Sequence, residues 1–274
     1  MPFPEPVEGQ SDKHSAPRVA TQRGSLATMT TAIVVAAIVL VLAVIALYAN
    51  YLVRRQGTWR VRLAEKIPVH SAFWRERHKE TGELHYVAIG DSTAQGIGAS
   101  RPNHSYVGFL AAHIRKQIAP RTLRVSNFAV SGGTLRIAID AQLPKLAKTS
   151  PDILTVAIGA NDMANFEAVR FETELRELFA ALPSHAIVAD VPSFYFLPAE
   201  KNVIRANAIV RAVAAEHGFP VVDLHRRTKR QGLWGVSTQF AGDLFHPNDR
   251  GYRVWAAAFT PEVDKRLQVI AAAP

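Results

Sequence analysis

The stretch HYVAIGDSTAQGIGAS, from His85 to Ser100, changes abruptly from apolar residues to small and polar ones. Its first part, Tyr86–Ile89, is apolar without interruption, as in a strand that is buried on both faces. The sequence Gly-Asp-Ser follows directly, from Gly90 to Ser92. A buried strand is therefore predicted to end near a serine, and the role of this serine depends on the partners that the rest of the chain supplies.

Similar short apolar runs recur along the chain and predict further strands. They are Leu123–Ala129, Ile153–Ile158, Ala186–Ala189 and Val221–Leu224. The segments between them carry apolar residues at helical spacing, so strands and helices alternate. This alternation favours a parallel sheet that is covered by helices on both faces. Ligands of such sheets bind beyond the carboxyl ends of the strands, and the residues after each strand are therefore candidates for a site.

Polar or glycine-rich segments follow three of the predicted strands and precede the last predicted helix. They are Gly90-Asp91-Ser92, Ser131-Gly132-Gly133, Gly159–Asp162 and Asp243–His246. A serine nucleophile needs a base, usually a histidine, and a group that orients the base. Among the ten histidines, His246 is the best candidate, because Asp243 precedes it on a predicted loop. An aspartate at this spacing is also typical of a helix N-cap, and that alternative stays open.

Ester cleavage also needs hydrogen-bond donors for the charge that develops on the carbonyl oxygen. Gly132 offers an unhindered backbone N–H, Asn161 offers a side-chain amide, and Ser92 offers its own N–H at a strand-to-helix turn. Each has an ordinary alternative, such as a tight turn at Gly132 or a helix N-cap at Asn161. Their succession, each at the end of a predicted strand, favours one shared site.

Together these four segments resemble the signature blocks of the SGNH, or GDSL-type, serine hydrolase family of esterases and lipases. The blocks read Gly90-Asp91-Ser92-Thr93, Ser131-Gly132-Gly133-Thr134, Gly159-Ala160-Asn161-Asp162 and Asp243-Leu244-Phe245-His246. The resemblance covers about residues 84–268. Thr93 stands where many family members have leucine. The Gly-x-Ser-x-Gly elbow of α/β-hydrolases is not matched, because Ala94 stands at its final position.

The resemblance implies a flavodoxin-like three-layer α/β/α sandwich with a parallel sheet of about five strands. It implies a serine ester hydrolase of the carboxylesterase or lipase type that needs no metal or other cofactor. By resemblance, Ser92 attacks the ester carbonyl, His246 is the base and then the acid, and Asp243 orients His246. The amides of Ser92 and Gly132 and the side chain of Asn161 hold the oxyanion.

Two other functions remain open for the same chemistry or the same fold. One is an acyltransferase or a carbohydrate O-deacetylase of the cell envelope, and the other is a non-catalytic binding module. The expected substrate is a small-molecule, lipid or glycan ester. The segments Ser193–Pro198 and Leu233-Trp234 are candidate apolar walls of its pocket, although ordinary core packing would explain them equally well.

The N-terminal part of the chain has a different composition from the rest. Residues 1–28 are rich in proline, serine, glycine and charge and are predicted to be disordered, and translation from Met29 would omit them. Residues 29–53 contain an uninterrupted apolar run from Ala32 to Ala49 and predict a transmembrane helix. A cleaved signal peptide is the main alternative, but the cleavage site is poor. Residues 54–83 are predicted to be a basic and aromatic juxtamembrane linker, and residues 84–270 the hydrolase domain.

The net charge of +9 and the absence of cysteine limit the possible functions. Without cysteine, the chain forms no disulfides, thiolate zinc sites or cysteine nucleophile. The basic residues are spread out, and the run from His225 to Arg230 is typical of a solvated helix face, so no nucleic-acid partner is expected. More basic residues follow the apolar segment than precede it, which favours a single-pass protein with a cytoplasmic catalytic domain. Action on external esters would instead require the domain outside.

Overall fold

The sheet of this protein consists of parallel strands only. The computed structural model describes residue 1, residues 19–195 and residues 197–272, with side chains from residue 28 onward. The strands are β1 (Leu84–Gly90), β2 (Leu123–Asn127), β3 (Ile153–Ala157), β4 (Ala186–Ala189) and β5 (Val221–Val222). They pair in the order β2-β1-β3-β4-β5, which is the flavodoxin-like order. The predicted parallel sheet of about five strands is confirmed.

Helices connect the strands and follow the last one. The α-helices are α1 (Val19–His78), α2 (Ser92–Gln95), α3 (Tyr106–Ile118), α4 (Leu135–Ile137), α5 (Leu143–Leu146), α6 (Ala168–Ala180), α7 (Glu200–His217), α8 (Leu224–Lys229), α9 (Gly232–Thr238) and α10 (Asp249–Ala272). Short 3₁₀ turns cover Pro102–His104 and Asn161–Asn165, and a π-helical turn covers Ala138–Gln142.

The two faces of the sheet bury two separate apolar clusters. Along β1, Tyr86 and Ala88 pack with residues of α3 and α10, whereas Val87 and Ile89 pack with residues of α6 and α7. Successive side chains of a strand point to opposite faces, so a strand that is apolar throughout needs cover on both. All seven residues of β1 are buried, which completes the predicted three-layer arrangement.

The order of the strands determines where a ligand can bind. Strand β2 pairs with one edge of β1, and β3, which follows β2 in the chain, pairs with the other edge of β1. The crevice beyond the carboxyl ends of β1 and β3 is therefore the switch point of the sheet, where ligands bind in open α/β folds. Ser92 follows β1 and Asn161 follows β3, so both lie at this crevice.

Helix α1 contains the predicted transmembrane segment and parts of the predicted segments on either side of it, and it belongs to two compact units, which divide between Arg54 and Arg55. By its length and composition, the helix is long and apolar enough to cross a membrane. Of the predicted linker, residues 54–83, the part up to His78 is helical, and one face of it is buried, as at Leu63, His70 and Trp74. Of the predicted disordered segment, residues 2–18 lie outside the described residues, and residues 19–28 begin α1.

Candidate active site

The turn after β1 presents Ser92 in a fixed conformation. Asp91 caps the N-terminus of α2, where its Oδ1 atom accepts hydrogen bonds from the backbone N–H and the hydroxyl of Thr93 at 2.8 and 2.7 Å. Before it, Gln142 donates to the carbonyl of Gly90 and accepts from its N–H at 2.8 and 3.0 Å. A side chain at position 90 would collide with Ala157, which explains the glycine. Ser92 itself is 6% exposed.

The loop before α10 brings His246 to Ser92. The His246 Nε2 atom lies 3.0 Å from Ser92 Oγ, and the His246 Nδ1 atom lies 2.6 Å from Asp243 Oδ2. Because a carboxylate only accepts, Nδ1 carries the proton and Nε2 is free to accept from the serine hydroxyl. The structure therefore brings together the three residues that the sequence predicts as a triad.

Asp243 is buried but remains suited to a negative charge. Burial by itself raises the pKa of its carboxyl group. The hydrogen bond from His246, the charge of His246 and two backbone N–H groups lower this pKa by more than burial raises it, so the pKa is below its ordinary value. Those N–H groups belong to Phe245 and His246, which lie 3.2 and 3.1 Å from Asp243 Oδ1. The carboxylate oxygens are thus both engaged, one by the loop backbone and one by the imidazole.

The predicted oxyanion residues lie around the same turn. Asn161 donates its side-chain amide to the carbonyl of Gly133 at 2.9 Å and to Asp91 Oδ2 at 3.3 Å. The segment with Gly132 is held against β1, since the N–H of Val130 donates to Gly90 at 3.3 Å. Gly132 has a φ of +75°, a left-handed conformation that favours glycine.

Two further buried carboxyl groups belong to this arrangement. Burial raises the pKa of Asp91, although the hydrogen bonds from Thr93 act against the rise. Burial also raises the pKa of Asp162 to about 6, although the N–H of Leu135, 3.2 Å from Asp162 Oδ2, favours its charged form. Asp162 thereby ties the end of β3 to the segment after Gly132.

A cavity of about 270 Å³ opens beside Ser92 and Asn161. Apart from these and a few polar groups, its wall is apolar: Pro192, Phe194, Tyr195, Leu197, Val236, Phe240, Leu244, Phe245 and Trp255. The predicted wall segment 193–198 contributes three of these side chains, and Phe196 lies outside the described residues. Leu233 and Trp234, the other predicted wall, are not among the residues that line the cavity and are 73% and 69% exposed. The other walls come from segments distant in the chain, and no local pattern identifies them.

The cavity walls contain two residues with an unfavourable backbone conformation. Tyr195 and Leu244 have φ values of +55° and +56°, which are uncommon for residues with a side chain. Glu200 holds the wall near Tyr195: its carboxylate accepts from the N–H of Phe194 at 2.6 Å and from the hydroxyl of Ser193 at 3.1 Å. Sequence reasoning did not identify Glu200, because its partners lie on a loop without a recognisable motif.

The chain is similar to a large family of enzymes over most of its second unit. Residues 88–254 match the sequence profile of the GDSL-like lipase/acylhydrolase family. This range contains Ser92, Gly132, Asn161, Asp243 and His246 and excludes α1. Among curated proteins, none matches the chain.

Several solved structures have the same fold. An α/β hydrolase from the metagenome of Lake Arreo in Spain is 24% identical, with a TM-score of 0.56, and the match covers 68% of this chain and 97% of that chain. A lipase/acylhydrolase from Enterococcus faecalis is 19% identical, with a TM-score of 0.54 and coverage of 67% and 96%. An acetylxylan esterase from Geobacillus stearothermophilus is 21% identical, with a TM-score of 0.51 and coverage of 66% and 94%. At these identities the likeness establishes the fold and leaves the substrate open.

Proposed function

Because the chain belongs to the GDSL-like lipase/acylhydrolase family and acts on ester bonds, we propose that it is a membrane-anchored serine esterase with Ser92, His246 and Asp243 as its catalytic triad. The observation that carries this proposal is the hydrogen-bonded chain from the Ser92 hydroxyl through His246 to the buried carboxylate of Asp243, with distances of 3.0 and 2.6 Å. Its proposed substrates are carboxylic esters with an apolar acyl group.

The first half of the reaction forms an acyl-enzyme. Ser92 Oγ attacks the ester carbonyl carbon, and its proton moves to His246 Nε2. The ionised Asp243 stabilises the resulting imidazolium, since its lowered pKa keeps it negative at neutral pH. The bond between the carbonyl carbon and the oxygen of the leaving alcohol then breaks. His246 gives its proton to that oxygen, and the alcohol leaves.

The second half repeats these steps with water. His246 Nε2 removes a proton from a water molecule, whose oxygen attacks the acyl carbon on Ser92. When the second tetrahedral intermediate collapses, His246 returns the proton to Ser92 Oγ, and the carboxylic acid is released. Each half uses the same base, so one imidazole serves both steps.

Three donors are proposed to stabilise the oxyanion: the backbone N–H groups of Ser92 and Gly132 and the side chain of Asn161. The contact of Asn161 with Asp91 is long, at 3.3 Å. A substrate oxyanion can replace this weak hydrogen bond, while the shorter one to Gly133 keeps the amide in position. The arrangement is therefore prepared before the substrate binds, as such stabilisation requires.

The wall of the cavity supports an apolar acyl group rather than a sugar. Phe194, Phe240 and Phe245 contribute aromatic surface, and Val236 and Leu197 add aliphatic surface. An acyl chain that binds there buries apolar surface, and this burial contributes a favourable free energy of roughly 25 cal/mol per Å². A hydroxyl-rich group would lose hydrogen bonds to water on the same wall without replacement.

The exposed apolar part of α1 supports the membrane anchor. Side chains on every face of this segment are exposed, including the consecutive residues Val39, Leu40 and Val41 at 56–66%. Soluble proteins rarely expose continuous apolar surface of this size. A hydrocarbon layer removes this surface from water, and the backbone is already paired within the helix.

A covalent probe and a panel of esters test the proposal. The full-length protein in neutral detergent is treated with a fluorophosphonate probe and assayed on p-nitrophenyl esters from acetate to decanoate. We expect Ser92→Ala to lose both labelling and hydrolysis and to keep the far-UV circular dichroism of the wild type. Ser237→Ala, an exposed helical serine, is the matched control and should keep both. Hydrolysis by Ser92→Ala at the wild-type rate would refute the triad.

The same panel separates this function from a carbohydrate deacetylase. An apolar acyl pocket predicts higher kcat/KM for butyrate to octanoate than for acetate. Exclusive cleavage of sugar acetates would assign a glycan substrate instead. Acyl transfer to an added alcohol or sugar, at the expense of hydrolysis, would assign a transferase.

A further inference from the structure

One face of α1 lies against the candidate active site. This face consists of Gln56, Trp59, Leu63, Ile67, His70, Ser71 and Trp74. Apart from the adjacent pair His70 and Ser71, these residues are three or four positions apart, which places them along one side of the helix. They all lie in the unit formed by residues 55–274. They also lie outside residues 88–254, the range that matches the family profile. These contacts are therefore an addition to the part of the chain that carries the family signature.

The first contacts are made with the loop that carries Asp243. The side-chain amide of Gln56 donates a hydrogen bond to the backbone carbonyl of Asp243 at 3.0 Å. The ring of Trp59 lies directly on Gly242: a Cβ atom at position 242 would be 2.2 Å from two of its ring atoms. The glycine is thus required by the approach of Trp59, since even an alanine would collide with the indole.

The loop itself has a conformation that needs support. Leu244, between Asp243 and His246, has a φ of +56°, and such a residue persists only where the surrounding structure imposes it. One support is internal, since the N–H of Ala241 donates to the carbonyl of His246 at 2.8 Å. The other is α1, whose Leu63 forms a buried apolar cluster with Ala241 and Ile97.

The same face of α1 also contacts the turn that carries Ser92. The carbonyl of Gln95, at the end of α2, accepts from the indole N–H of Trp74 at 3.0 Å and lies 2.9 Å from His70 Nδ1. The side chain of Gln95 continues the connection, donating to the carbonyl of Ala129 at 2.8 Å and accepting from the Ser131 hydroxyl at 2.7 Å. Through Gln95, α1 is linked to both the nucleophile turn and the segment before Gly132.

From these contacts we propose that Gln56 and Trp59 are positioning residues of the esterase, which hold the Gly242–Asp243 turn so that Asp243 can orient His246. This inference rests on the proposed triad. Neither residue lines the cavity beside Ser92. A displacement of the Asp243 carboxylate by about 1 Å, remote from the chemistry, is enough to lower a rate by roughly 10²-fold. Loss of these contacts should therefore lower kcat and leave substrate binding unchanged.

Variants of α1 in the full-length protein test the proposal. With p-nitrophenyl butyrate in neutral detergent, Gln56→Ala should lower kcat by roughly three- to ten-fold, as loss of one hydrogen bond predicts. Trp59→Ala should lower it by roughly 10- to 100-fold, and Trp59→Phe should recover most of the loss because it keeps an aromatic ring on Gly242. KM should change by less than about two-fold in each, because neither residue lines the cavity.

Matched substitutions on the opposite face of the same helix serve as controls. Val61 and Val69 are 62% and 55% exposed, so Val61→Ala and Val69→Ala should keep the wild-type kcat. Thermal unfolding is measured for every variant, and kcat is compared well below each Tm. A fall in kcat for the control variants equal to that of Gln56→Ala would overturn the specific role of the contact face.

Position 242 provides an independent test that does not depend on the folding of Trp59→Ala. Gly242→Ala should lower kcat, because its methyl group collides with the indole. If Trp59 causes this loss, adding Gly242→Ala to Trp59→Ala should cost no further activity, so the two effects are not additive. Additive losses, or an unaltered kcat in Gly242→Ala, would contradict the proposal.

The outcome is distinguishable from a failure of the proposed function. Ser92→Ala is assayed under the same conditions, and its inactivity establishes that the measured rate depends on Ser92. If Ser92→Ala is inactive and Gln56→Ala and Trp59→Ala retain the wild-type kcat, the triad stands and the positioning role is wrong. If Ser92→Ala is active, both are wrong.

Discussion

Asn161 Nδ2 lies 3.3 Å from Asp91 Oδ2 and so connects the end of β3 with the turn after β1. The second hydrogen bond of the amide, to Gly133, is shorter by several tenths of an ångström, at 2.9 Å. The short hydrogen bond holds the amide group in place. The long one is weak, so a stronger acceptor can replace Asp91 as its partner. An oxyanion is such an acceptor, whereas the neutral carbonyl of the bound ester is a weaker one.

We therefore expect Asn161→Ala to lower kcat by roughly 10²–10³-fold, as removal of one oxyanion donor does. KM should stay close to that of the wild type, because the lost interaction forms in the transition state. Steady-state kinetics on one ester measures both. Asn165→Ala, an exposed residue of the same 3₁₀ turn, is the control. A higher KM with unaltered kcat would make Asn161 a substrate-binding residue.

Replacing His246 should remove activity at every pH. Glutamine keeps a similar volume but accepts no proton from Ser92, so His246→Gln lacks the base for both halves of the reaction. The wild type should be active in the range where the variant has no activity. A pH–rate profile of both proteins from pH 5 to 10 measures the difference. Recovery of the variant at high pH would identify a different base.

Asp162 predicts a pH dependence of stability. Its folded-state pKa is about 6 because of burial, above the ordinary value of 3.8. The native state then binds more protons than the unfolded state between these values, and the free energy of unfolding falls as pH rises from about 4 to 6. The free energy of unfolding should fall by on the order of 3 kcal/mol, because each unit of difference between the folded and unfolded pKa corresponds to about 1.4 kcal/mol.

In Asp162→Asn this loss should be absent, because the amide does not ionise and its oxygen can still accept from Leu135. The free energy of unfolding of wild type and variant should therefore diverge as pH rises from 4 to 7, with the variant the more stable at pH 7. Denaturant unfolding of both proteins at several pH values gives the difference. Parallel curves would show that Asp162 titrates as an ordinary surface carboxylate.

Filling the cavity should change the preference for acyl length. Val236 lines the cavity from α9, and Val236→Phe reduces the space beside Ser92. The ratio of kcat/KM for octanoate to that for acetate should fall by roughly 10-fold or more, since one methylene group in an apolar pocket is worth about 1–3 kcal/mol. Val169→Phe, at a position that is 72% exposed, should leave the ratio unchanged. An unaltered ratio in Val236→Phe would place the acyl chain elsewhere.

The sequence predicts the sheet and the residues at the ends of its strands because these signals are local. The apolar run of β1 and the Gly-Asp-Ser sequence after it lie within one short segment. The packing of α1 was missed for the opposite reason. Its buried face mixes Gln56 and His70 with Trp59 and Leu63, so no apolar period is visible in a segment that is otherwise basic. The cavity walls were found only in part, because Val236, Phe240 and Trp255 meet Phe194 solely in the folded chain.

The charges around the apolar segment predict its orientation in a membrane. Positive residues near a spanning helix tend to remain in the cytoplasm. Five positive residues lie close after the apolar run: Arg54, Arg55, Arg60, Arg62 and Lys66. Three lie before it: Lys13, Arg18 and Arg23. The difference increases if translation begins at Met29. We therefore expect the protein to resist extraction by alkaline carbonate and its catalytic unit to lie on the cytoplasmic side.

Protease treatment of intact cells tests this orientation. A tag at the C-terminus should survive protease outside the cell and be digested only after lysis. A second protein with a known external domain, digested in the same sample, shows that the protease is active. Digestion of the tag without lysis would place the catalytic unit outside, where envelope or extracellular esters become its substrates. Release of the protein by carbonate would instead contradict the anchor, and the apolar segment of α1 would then need a protein partner to remove it from water.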